Sequence, residues 1–186
     1  MAAETRTARI GSVRFLPVGT VPRDVLRDLV ARLSARLGLP CRLGSRREPI
    51  PLPILAGRGQ GDADRLLGEI ESLAGAPGEI LVGVTAADIG HPVFTHFFGR
   101  ARRHGRGAVV SLARLCPTFY GLPADRGLLV RRAMLEVVHE LGHIAGLRHC
   151  DDYGCIMRFA PTVEAIDVRG TGFCASCAAE WNGLRR

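Results

Sequence analysis

The sequence predicts an α/β (α+β) fold, a sheet layered with helices and followed by a small metal-stapled C-terminal lobe. Three observations carry this. Apolar residues recur at helical spacing in three segments, short apolar runs suited to strands lie between them, and past Gly146 the periodicity stops while cysteines crowd into the tail. Strict strand–helix alternation fails because the first two helical segments flank an irregular connector.

Residues 9–18 mix apolar and polar positions and read as a first strand. Pro22 opens a helical pattern through Leu37, with Val25, Leu26, Leu29, Val30, Leu33 and Leu37 spaced by threes and fours, and Gly38 as its C-cap. Residues 46–61 are full of Pro and Gly and predict an irregular connection. Asp62 is placed to N-cap a helix over about 63–74 that carries Leu66, Leu67, Ile70 and Leu73 on one side. Glu79 to Thr85 is a short apolar run suited to a buried strand. Residues 93–102 and 108–115 read as two further strands joined by a basic turn, and Asp125 caps a long helix over 126–145.

The 186 residues fit one domain with a small satellite, divided as 1–146 and 147–186. No apolar run approaches the roughly 18 residues that span a bilayer. Residues 1–18 show no charged head, continuous apolar stretch and cleavage site, so a cytoplasmic location is expected. Net charge is +7, yet all 25 basic residues are arginine in a chain rich in Ala, Gly and Leu, a pattern that fits codon bias in a GC-rich genome. The dense cluster Arg100, Arg102, Arg103, His104 and Arg106 reads as a solvated hairpin end, and nucleic acid is not the expected partner. A monomer is expected.

Residues 139–143 read His-Glu-Leu-Gly-His. On a helix, positions i and i+4 share a face, so two imidazoles there can reach one ion at about 2.0–2.1 Å. Glu140 projects beside that ion, where a general base belongs if it is to deprotonate a water held there. Gly146 tolerates the conformation that ends the helix and redirects the chain. His149 then follows as a third ligand, and three protein ligands leave a fourth position for water, the mark of a catalytic site.

Residues 139–150, HELGHIAGLRHC, closely resemble the archaemetzincins, a branch of the metzincin zinc peptidases whose motif continues into further cysteines. Here Cys150 is followed by Cys155, Met157 and a CxxC at Cys174 and Cys177. The specific resemblance covers about residues 139–177, and residues 108–115 look like the family's strand before the active-site helix. The family's spacing from the methionine to the CxxC is one residue wider. The resemblance implies a metzincin-like zincin: a twisted mixed sheet on two long helices, a small zinc-stapled C-terminal subdomain, and peptide or protein substrates. Met157 would sit in the Met-turn under the zinc ligands; from the sequence alone it reads as core packing. Where some metzincins carry a tyrosine two residues on, this chain has Phe159, with no phenol to donate, and neither Tyr120 nor Tyr153 is recruited in its place. Strand 93–100 would be the sheet edge along the cleft, to which a substrate adds by backbone pairing.

Cys150, Cys155, Cys174 and Cys177 pair as CxxxxC and CxxC, spacings that suit a four-cysteine zinc; the alternative is two disulfides. Two zinc ions per chain are expected, one catalytic and one structural. Cys41 and Cys116 fall outside this set and read as ordinary buried thiols, and His91, His96 and His104 match no ligand spacing. The function expected is peptide-bond hydrolysis by zinc-activated water with Glu140 as base. The alternative is a catalytically silent zinc-binding module on the same scaffold.

Overall fold

Parallel pairing between β-strands organises the N-terminal part of the chain. The structure is a computed structural model that describes residues 10–44 and 50–183; residue 9 of the expected first strand and residues 46–49 of the expected connector lie outside them. Strand β1 (Ser12–Val18) leads into helix α1 (Arg23–Leu37), which ends at Gly38 with a left-handed φ of 59° and returns as β2 (Cys41–Leu43) beside β1. Strand β4 (Glu79–Thr85) pairs parallel with β1 on its other side. The order of the five-stranded sheet is β2-β1-β4-β7-β6, with β7 (Gly107–Ser111) parallel to β4 and β6 (Gly99–Ala101) antiparallel at the edge. Two short strands, β3 (Gly61–Asp62) and β5 (Ile89–Gly90), form a separate pair.

Side chains alternate across the sheet, as strand geometry requires. Val13, Phe15, Ile80, Val82, Val84, Ala108 and Val110 face one core, shared with α1 and with helix α3 (Arg126–Ile144). Leu16, Val18, Leu81 and Val109 face the other, covered by helix α2 (Ala63–Ser72). The two long helices thus lie on one face of a mixed sheet. Both expected N-caps are present: the Asp62 carboxylate accepts from Arg65 N–H at 3.1 Å, and that of Asp125 from Leu128 N–H at 2.9 Å.

Three expectations need correction. The strand expected over 93–102 is confined to Gly99–Ala101, because residues 91–95 form a loop whose carbonyls accept from a distant guanidinium. The strand expected over 108–115 ends at Ser111 and passes into a 3₁₀ turn, Ala113–Leu115. The tail is not irregular throughout, since α4 (Val163–Val168), capped by Thr162, and α5 (Ala175–Gly183) order it, and Val163, Ile166 and Trp181 join the core of α1 and α3. No helix among the described residues is long and apolar enough to cross a membrane.

Candidate metal centre

Helix α3 carries His139, Glu140 and His143 into the interior, where His139 and Glu140 are each only 5% exposed. Ala145 caps the helix and Gly146 adopts a φ of 98°, a conformation costly for any side chain. The Leu147 N–H bonds back to the Gly142 carbonyl at 2.9 Å, so the chain turns under the helix end. That turn brings the His149 ring to 5.3 Å from the His139 ring and 4.9 Å from the His143 ring, centre to centre. One nitrogen from each of the three imidazoles lies within 4.8 Å of the others.

The protonation of two of these rings follows from their partners. His139 Nδ1 lies 2.8 Å from the Ile156 carbonyl and His143 Nδ1 lies 2.9 Å from the Leu147 carbonyl. Carbonyl oxygens only accept, so both Nδ1 atoms carry the proton. The two Nε2 atoms then face one another 3.1 Å apart with lone pairs and no proton between them. Such an approach is repulsive without a cation. A tetrahedral ion with bonds of about 2.05 Å sets nitrogen neighbours roughly 3.3 Å apart, close to the separation seen. Burial holds all three imidazoles below the usual histidine pKa, and the Arg169 charge adds to this at His139 and His149. Neutral imidazole is the ligating form.

Glu140 has no hydrogen-bond or ion-pair partner among the described residues. Burial, and next the charge of Glu136, pushes its carboxyl well above the usual range. Gly99 on the edge strand makes room for it, since a Cβ there would lie 2.7 Å from Glu140 Oε1. The three histidines and Glu140 open onto a cleft of about 700 Å³ walled by residues 94–103, α3, Phe159 and Arg169.

The four C-terminal cysteines also converge. Their Sγ atoms lie within 4.8 Å of one another, and Cys150 and Cys174 are 3.8 Å apart, too far for a disulfide. A tetrahedral zinc with sulfur bonds of about 2.3 Å separates its sulfurs by roughly 3.8 Å. Backbone N–H groups of Met157 and Cys174 point at Cys155 Sγ at 3.4 Å each. The Cys177 N–H holds the Cys174 thiol below its usual pKa, while burial pushes Cys177 up. All six cysteines are free thiols. His149 and Cys150, adjacent in sequence, join the two different clusters.

The pattern of peptidase family M54 matches residues 36–182. An archaemetzincin of Methanocaldococcus jannaschii is 34% identical over 164 residues, 87% of each chain. The chain belongs to peptidase family M54, the archaemetzincins. It is a zinc metallopeptidase by that membership. Two crystal structures share the fold: a zinc-dependent peptidase from Methanocorpusculum labreanum (TM-score 0.80, 29% identity, 90% of this chain and 98% of that one) and the archaemetzincin of Archaeoglobus fulgidus complexed with malonate (TM-score 0.76, 27% identity, 91% and 99%).

Other residues of this archaemetzincin fall as follows. Met157 is fully buried beneath the helix, its Sδ in the space a side chain at Gly142 would need. Phe159 is 59% exposed with its ring 5.1 Å from that of His149. Tyr120 donates to the Arg114 carbonyl at 2.9 Å and Tyr153 lies under the Arg158 guanidinium; neither lines the cleft. Cys41 and Cys116 are half-buried rather than enclosed, and burial raises the Cys41 thiol to about 11. His91 lies 3.4 Å from Asp64, His96 lines the cleft, and His104 is exposed.

Two features escaped sequence reasoning. Arg169 and Glu136 form a buried ion pair (Nη2 to Oε1, 2.5 Å) behind His139, with Arg169 Nη1 3.4 Å from His139 Nδ1. The usable signal was Glu136 itself, a charged residue three positions before His139 and so on the same helix face. Arg58, in the connector, donates to the carbonyls of His91, Phe94 and Thr95 and so fixes the cleft's upper rim. No local pattern marks it.

Proposed function

We propose that this archaemetzincin hydrolyses peptide bonds at a zinc held by His139, His143 and His149, with Glu140 as general base. The observation that carries the reading is the buried, unpartnered carboxylate of Glu140 beside imidazole lone pairs that face one another. Zinc in that position supplies Lewis acidity, lowering the pKa of a water molecule and polarising the scissile carbonyl. Glu140, buried beside the histidines on the same helix, takes a proton from the attacking water and delivers it to the leaving amine. The Ile156 and Leu147 carbonyls hold His139 and His143 in the ligating tautomer. Met157 floors the site as the Met-turn residue.

The second zinc, on Cys150, Cys155, Cys174 and Cys177, is structural. It staples the 147–186 subdomain onto 1–146 and so fixes His149. Substrate enters as an extended strand along β6. The Phe98–Ser111 bond of 2.9 Å directs the Phe98 and Arg100 main chain towards β7, which leaves the Gly99 and Ala101 main-chain groups on the outer edge. The chain acts as a monomer, without nucleic acid.

Metal content and peptide turnover test this together. Protein purified without chelator is expected to hold two zinc ions per chain and to lose turnover when the more labile one is stripped. Turnover that survives complete removal of metal, or one zinc with four oxidised thiols, contradicts the reading. Two bound ions with no cleavage of any peptide in a diverse library favours a silent module instead.

A further inference from the structure

The arginine cluster that ends β6 does not behave as one solvated patch. Arg100 Nε donates to Asp64 at 2.8 Å, and Arg102 pairs with Glu71, so both charges are met by carboxylates of α2. Arg106 Nη2 bonds the Ala76 carbonyl and lies outside the cleft. Arg169 is neutralised by Glu136. Arg103 is different. It is exposed, lines the cleft, and has no ion-pair partner among the described residues. It lines the same cleft as His143. Among the described cleft residues it is the one cation left without a counter-charge. It follows directly on the edge strand whose outer main-chain groups at Gly99 and Ala101 are open to a substrate strand. The opposite end of the same wall is apolar, with Phe94 55% exposed.

We infer that Arg103 is a specificity-determining residue: it selects peptides with an aspartate or glutamate on the side of the scissile bond that lies over the turn after β6. The inference rests on the peptidase reading above and names its substrate class. A peptide strand paired to Gly99 and Ala101 runs past Arg103 within reach of a carboxylate side chain. Arg100 and Arg102 cannot serve without breaking their pairs with α2. A basic residue at that position meets a like charge that no carboxylate offsets.

The test separates binding from turnover. Fluorescent eight-residue peptides, each with one aromatic residue held constant and Asp, Ala or Arg walked through the other positions, are titrated by anisotropy into zinc-loaded Glu140→Gln protein. At one position Asp is expected to bind about 5-fold tighter than Ala, the scale of a single exposed ion pair, and Arg more weakly than Ala. The difference shrinks as salt rises. Arg103→Ala in the same background brings the Asp-to-Ala ratio to about one, Arg103→Glu reverses the preference, and Arg106→Ala keeps it. Equal binding of Asp and Arg peptides at every position, or an acidic preference that survives Arg103→Glu, overturns the inference. The wild-type protein is assayed for cleavage of the same peptides. Selective binding with no cleavage upholds the role of Arg103 and contradicts the peptidase reading. Cleavage with no acidic preference does the reverse.

Discussion

Replacing Gly99 with alanine tests how closely the edge strand is fitted to the base. The added Cβ would lie 2.7 Å from Glu140 Oε1, 2.8 Å from its Cγ and 3.0 Å from its Cδ, against an ordinary contact of at least 3.4 Å. Glu140 must therefore retreat by roughly 0.7 Å or tilt off its rotamer, since its helix is buried and β6 is pinned to β7. A displacement near 1 Å at a reacting group costs about 10²-fold, so kcat on a fixed peptide should fall by about 30- to 100-fold. The overpacking itself costs roughly 1–3 kcal/mol of stability, which the melting temperature will show. The three heavy atoms nearest the added Cβ all belong to Glu140 and none to a histidine, so zinc content should stay as in the parent. The assay is steady-state turnover of a quenched fluorescent peptide beside elemental analysis of the same samples. A zinc-loaded Gly99→Ala protein with kcat within twofold of the parent would refute the argument that Glu140's position is set by this contact.

Three further outcomes follow from the same geometry. Cys174→Ser should weaken binding at the histidine site more than Cys41→Ser does in chelator competition, because His149 is one peptide unit from Cys150; equal affinities would contradict a coupled lobe. Met157→Ala empties a fully buried volume under α3 and should cost about 2–5 kcal/mol in denaturant unfolding, whereas a change below about 0.5 kcal/mol would show that Met157 is not a packed floor. In metal-free protein the three histidines, all held below their usual pKa of 6.5, bind fewer protons folded than unfolded. Their contribution to stability is present above pH 6.5 and is lost as pH falls through the lowered values. Glu140, whose carboxyl is raised, contributes in the opposite sense, so the chelated Glu140→Gln protein, free of that offset, should melt progressively lower from pH 7.5 to 5, and a flat profile there would contradict burial of neutral imidazoles.

What the sequence made legible was local. Asp62 and Asp125 announce their helices because an N-cap is satisfied within three residues. Glu79–Thr85 reads as a buried strand from its apolar run alone, and the spacing of His139, His143, Gly146 and His149 needs only helix geometry and one turn to be interpreted. What was not legible depends on distant partners. Residues 93–98 look like strand, yet Arg58 draws three carbonyls of residues 91–95 into a loop from over thirty positions away. Helix α4, six residues long, is too short to show a helical period, and β2 has three residues whose pairing with β1 depends on the path of α1. The Glu136–Arg169 pair joins residues 33 apart, and Arg103 differs from its arginine neighbours only because α2 supplies carboxylates to the others.

The most direct test of the central claim is the Glu140→Gln substitution, read by turnover and metal content on one preparation. The side chain keeps its shape and loses only the ability to take up a proton. The account predicts that both zinc ions remain, the fold and melting temperature are kept or improved as a buried unpaired carboxylate is removed, and kcat falls by about 10²–10⁴-fold. Near-normal turnover by fully zinc-loaded Glu140→Gln protein would contradict the account.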